Sequence, residues 1–85
     1  SAYNFEHANT ENLFKMFDML ELEAKTLVEK KLSLPAYDQC LKASHLFNIL
    51  DARGVISVAQ RASYIGRIRN ITKSVAEIWL SSQIR

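Results

Sequence analysis

The sequence predicts an all-α fold: a small antiparallel bundle of three main helices behind an extended N-terminal lead-in. Three observations carry this. Only two glycines and one proline occur in 85 residues, about 4% against a usual ~12%, and sheets with tight turns consume both types. Apolar residues make up 48% of the chain, enough for one core. From Thr10 onwards they recur at spacings of three and four, the period of a helix face. A chain of this length makes a single small domain.

Residues 1–9 are polar and aromatic without a period, and read as an extended lead-in from Ser1 to about Asn9. Helix 1 follows over Thr10–Lys31. Leu13, Met16, Phe17, Leu20, Ala24, Leu27 and Val28 form its apolar stripe. Asn9 or Thr10 is placed to cap its first amides, with Glu11 near the positive end of the helix dipole and Lys30 and Lys31 near the negative end.

Ser33-Leu34-Pro35 marks the break, because proline fits the first turn of a helix, where its missing N–H is no loss. Helix 2 is therefore expected over Pro35–Ala52. Its apolar positions are Ala36, Tyr37, Cys40, Leu41, Ala43, Phe47 and Leu50, with Leu46 at the margin, and Asp38, Lys42 and His45 share the opposite face. Gly54 supplies the left-handed residue that closes it.

Ser57-Val58-Ala59-Gln60 has the pattern of a capping box, so helix 3 is expected over Val58–Ser82. At 100° per residue, Ile65, Ile68, Thr72, Val75, Ala76 and Trp79 form one stripe. Tyr64, Ile71 and Ile78 form a second, and together they span about 200°, more than a surface helix needs. Either helix 3 is central to the bundle or one stripe, with Tyr64, Ile71 and Ile78 as the candidate, meets another domain or subunit. Gly66 in mid-helix costs about 1 kcal/mol against alanine; a close approach of another backbone is one reason to keep it.

Little in the sequence points to chemistry within this chain. No apolar run approaches the ~18–20 residues that span a bilayer, and residues 1–15 carry no signal-peptide pattern, so the chain reads as soluble and compatible with the cytoplasm. The single Cys40 excludes an internal disulfide and a cysteine-based zinc site. It sits on an apolar arc, where a free cysteine packs as a small hydrophobe. His7 and His45 are far apart in sequence, and Asp38 and His45 stand two turns apart, too far to act as one ligand pair. Gly54 and Gly66 stand alone, so no glycine-rich loop cradles a phosphate. No catalytic, cofactor or metal residue is expected.

The charge distribution is more informative. Residues 1–52 carry five lysines against eight acids, a net of −3, and residues 53–85 carry six cations against Glu77 alone, a net of +5. Such asymmetry marks either a nucleic-acid face or helix faces answering each other's acids. Arg61 and Arg69 fall on or beside the apolar arc of helix 3 and call for a partner, with Asp51 and the acids of helix 1 as candidates. For Arg67 and Lys73 the plain expectation is solvation. The functional alternative is that Arg67, Arg69 and Lys73 contact RNA phosphate. DNA binding through a helix-turn-helix fits poorly, because recognition helices are short and helix 3 is long and apolar over much of its surface.

Six strings then occur in order. They are Tyr3-Asn4-Phe5-Glu6, Leu34-Pro35-Ala36-Tyr37, Leu50-Asp51-Ala52-Arg53, Ile56-Ser57-Val58, Arg67-Ile68-Arg69 and Thr72-Lys73-Ser74-Val75-Ala76-Glu77. The series closely resembles the C-terminal end of the alpha subunit of the bacterial heterotetrameric glycyl-tRNA synthetase, and covers essentially the whole chain. The resemblance implies a longer parent chain with a class II catalytic domain ahead of Ser1, and a start at Ser1 in the middle of a family string suggests a fragment. It implies a parent that uses ATP with magnesium to activate glycine and attach it to tRNA(Gly) in the cytoplasm. The implied partners are a larger beta subunit, a second alpha subunit and, through the assembly, tRNA(Gly). The class II motifs precede the Tyr-Asn-Phe-Glu string in the family, so no catalytic residue carries over, and this segment is expected to be inactive alone. Its expected role is structural or docking support. A stand-alone helical adaptor, or a nucleic-acid-binding module using helix 3, is the alternative.

Overall fold

Three helices make up the described chain: α1 (Ala2–Glu29), α2 (Ser33–Ala52) and α3 (Val58–Gln83). The computed structural model describes the backbone of residues 2–83 and the side chains of residues 9–83. The helices form an elongated bundle of 57 × 22 × 15 Å, with α1 packed most extensively on α2. Short connections make consecutive helices antiparallel.

The expected extended lead-in is corrected here. The backbone is helical from Ala2, because no glycine or proline in this stretch stops α1 from continuing towards the N-terminus. Asn9 therefore lies inside a helix, where no capping is needed. With its amide oxygen turned towards Arg53, it accepts from both Nη1 and Nη2 at 3.1 Å and ties α1 to the end of α2. The side chains of the Tyr3-Asn4-Phe5-Glu6 string and of His7 lie outside the described residues.

The turns explain where each helix stops. α1 ends at Glu29, two residues before the expected Lys31. Lys31 takes a left-handed conformation, φ 60°. Its N–H reaches the Val28 carbonyl at 2.9 Å, and the Leu32 N–H reaches the Leu27 carbonyl at 2.9 Å, the paired bonds of a Schellman closure. α2 starts at Ser33, so Pro35 is its third residue, still within the first turn. Gly54, φ 71°, closes α2 the same way, donating to the Asp51 carbonyl at 3.0 Å. At the start of α3 the capping box is complete: the Gln60 N–H donates to Ser57 Oγ at 3.1 Å and the Ser57 N–H to Gln60 Oε1 at 2.9 Å.

The core is a file of three clusters. Near the α1–α2 turn, Ala24, Ala36 and Cys40 meet Ile71 and Val75, and the small residues let the helices come close. Phe17, Ala43 and Phe47 fill the middle against Tyr64 and Ile68. Leu13, Leu46 and Leu50 pack with Phe14, Ile49 and Ile56 towards the α2–α3 turn. Tyr64 lies edge-on to Phe17 at 4.8 Å between ring centroids and near-parallel to Phe47 at 6.1 Å.

Candidate interaction surface

The polar side of α3 turns on one residue. Arg67 reaches across to α1, where Nε donates to Glu21 Oε2 at 2.9 Å and Nη2 to Glu21 Oε1 at 2.7 Å, a two-pronged pairing. Nη2 also donates to Asp18 Oδ1 at 2.7 Å. The guanidinium lies 4.8 Å from the Phe17 ring centre and 4.9 Å from that of Tyr64, a cation held against two aromatic faces. The hydrogen bonds from Arg67 hold the Glu21 carboxyl below its usual range, against burial, which pushes it up. The same carboxylates raise the guanidinium further above its ordinary value. The plain expectation for Arg67, solvation, is not met: its charge is spent inside the bundle.

The other cations divide. Arg61 Nη2 pairs with Asp51 Oδ1 at 2.6 Å, the partner the sequence offered for it, and this pins the α2–α3 turn. Arg69, expected to be paired, is exposed and makes no ion pair with a described residue. Lys73 is exposed and likewise unpaired among the described residues. Of the three candidate RNA-contacting residues, Arg69 and Lys73 therefore share an outward face and Arg67 turns inward.

The two apolar stripes of α3 are placed differently from the sequence expectation. Ile71, offered as an outward-facing residue, is only 2% exposed and belongs to the core. Tyr64 sits among three phenylalanines, and Ile78 is half-buried. The physical reason is the charge: seating Arg67 on Glu21 rotates Tyr64, Ile71 and Ile78 inward. Val75 from the other stripe joins the core, while Ile65 and Trp79 are left exposed.

Those two residues have neighbours of the same kind. Asp51 meets Arg61, and Ala36 and Cys40 pack with Ile71 and Val75, which sets α2 and α3 in antiparallel register. In that register Leu34, Tyr37 and Leu41 lie on the flank of α2 beside α3, and Ile65, Thr72 and Trp79 on the flank of α3 beside α2. All six are exposed, Trp79 at 46%. The neighbouring flanks of α2 and α3 thus each carry exposed apolar residues, with the exposed Arg69 and Lys73 farther round α3. Single exposed apolar residues are ordinary, and several on two neighbouring flanks make a candidate interaction surface.

Among the described residues, chemistry-bearing groups do not gather in one place. Burial pushes the Cys40 thiol up, against a hydrogen bond with Thr72, which opposes formation of a nucleophilic thiolate. Among the described residues no group of three or more His, Cys, Asp and Glu is placed to hold a metal ion. An open groove between α1 and α3, about 260 Å³, is lined by Lys25, Val28, Glu29, Asn70, Ile71 and Ser74, with no nucleophile paired to a base. No described helix is long and apolar enough to cross a membrane. A family model described as the glycyl-tRNA synthetase alpha subunit matches residues 1–84.

Proposed function

Because the chain belongs to the glycyl-tRNA synthetase alpha subunit family, a family of tRNA ligases, we propose that it is the C-terminal helical domain of that subunit and serves as its docking support. The parent enzyme activates glycine with ATP and magnesium and attaches it to tRNA(Gly) in the cytoplasm. Its catalytic domain lies ahead of Ser1, and it works with a beta subunit and a second alpha subunit. The family match carries this reading, and the exposed apolar residues on the neighbouring flanks of α2 and α3 support a docking role.

ATP does not fit the described residues. The first amides of α3 are already answered by the Ser57 and Gln60 side chains. The start of α2 carries Leu32, Leu34 and Pro35 in place of a glycine-rich loop. Nucleotide chemistry therefore belongs to the rest of the parent, and this domain contributes position.

A tRNA contact is the second reading, favoured by the outward, unpaired Arg69 and Lys73. The two readings separate in one experiment. An alpha subunit lacking residues 1–85 is mixed with the beta subunit, and both the size of the assembly and the affinity for tRNA(Gly) are measured. Docking support predicts that assembly is lost. Normal assembly with weakened, less salt-sensitive tRNA binding would replace it by the second reading.

A further inference from the structure

The α2–α3 seam has the chemistry of half an interface, and its missing half is defined by what the seam lacks. Its centre is apolar and large-residue: Tyr37 and Leu41 from α2, Ile65 and Trp79 from α3. Its α3 border is cationic, with Arg69 and Lys73 unanswered by any described acid. Asp18 and Glu21 are committed to Arg67, Asp51 to Arg61, and Asp38 to Lys42 at 3.2 Å, while Glu77, one turn on from Lys73, forms no ion pair with it.

We propose that this seam docks an amphipathic helix of the beta subunit, apolar along the centre and carrying carboxylates along the edge that meets Arg69 and Lys73. This rests on the reading of the chain as part of the alpha subunit. Two exposed parallel flanks with a shallow seam between them are the shape a third helix packs into. Trp79 and Tyr37 are the anchors, since buried aromatics at the centre of an interface dominate its energy. RNA is the poorer occupant: a phosphate backbone calls for cations across the surface, and here two cations line one border of an apolar centre. A second copy of this chain is also poorer. Among the described residues, exposed apolar side chains with an acid near them in sequence, Met16, Met19 and Leu22 with Glu23, lie on α1 and not on the seam helices. Such a contact would be head-to-tail and would not close into a dimer.

The test uses the whole alpha subunit, with purified beta subunit as the probe. Trp79→Glu and Ile65→Glu replace exposed side chains. Each should weaken beta-subunit binding about tenfold or more and leave the thermal midpoint of the alpha subunit unchanged. The pair Arg69→Glu and Lys73→Glu should weaken it several-fold and flatten its salt dependence. Trp79→Ala checks that any loss comes from the missing ring and not from the added charge. Unchanged beta-subunit affinity in the glutamate variants overturns the proposal. So does a fall in the alpha subunit's own thermal midpoint with affinity intact, which would mean the seam packs on the alpha chain itself. Loss of tRNA binding with normal assembly would overturn it in favour of RNA. If removing residues 1–85 abolishes assembly while the seam variants do nothing, the docking role stands and only the seam assignment fails.

Discussion

Arg67 on α3 grips Glu21 on α1 through two hydrogen bonds of 2.9 and 2.7 Å, and its guanidinium lies against the rings of Phe17 and Tyr64. This pairing sets the rotation of α3. It decides which apolar stripe enters the core and which is left exposed.

Arg67→Ala leaves Glu21, whose side chain is only 14% exposed, without its partner, and removes the cover from two aromatic rings. Water reaches 31% of the Arg67 side chain, which screens part of the interaction. The expected loss is about 2 kcal/mol of unfolding free energy by urea denaturation. Arg67→Lys should recover only part of it, because an ammonium cannot make the two-pronged contact.

The same pair gives a pH dependence. Glu21 has its carboxyl pKa lowered in the folded state, mainly by hydrogen bonding to Arg67. The unfolded chain therefore takes up the proton first as pH falls. The pair's stabilisation is fully present above the ordinary carboxylate range of ~4–5 and is lost as pH drops through the lowered folded value. Denaturation midpoints followed from neutral to acid pH should fall below that range. The fall should be shallower in Glu21→Gln.

Gly66 sits inside α3 with nothing within 4 Å of where a Cβ would stand, so no close backbone approach explains it. Gly66→Ala should stabilise the domain by about 1 kcal/mol. In a calorimeter that is a rise of about 4–8 °C in midpoint for a domain of this size. A lower midpoint would show that the helix depends on local flexibility there.

The two left-handed turn residues should respond in opposite directions. Lys31 holds φ 60° with a side chain, and Lys31→Gly relieves that strain, a gain of about 0.5–1 kcal/mol. Gly54 holds φ 71° without one, and Gly54→Ala should cost about 1 kcal/mol although the space is open. Paired chemical denaturation curves of the two variants check both signs.

Much of the fold is legible from local chemistry. Ser57 and Gln60 announce the start of α3 because their side chains satisfy amides three residues away. Gly54 announces the end of α2 because the turn needs a positive φ. The ends of α1 are less legible. Nothing among residues 2–9 breaks a helix, so absence of period there did not mean extended chain, and Lys31 took a conformation its side chain disfavours. The exposed side of α3 was the least legible. Both stripes of α3 are apolar, and apolarity alone does not choose between them. The choice lies in Arg67, whose partners Glu21 and Asp18 are 46 and 49 residues away in sequence. Setting the acid-rich α1 against the basic α3 would have pointed to it, as the acid Asp51 at the end of α2 did for Arg61.

The most direct test of the docking role is glycine-dependent ATP–pyrophosphate exchange, measured with the alpha and beta subunits together, with and without residues 1–85. Exchange present in the intact pair and lost on removal is the expected result, with these helices needed to hold the working assembly. Full exchange and full tRNA glycylation without them would contradict it.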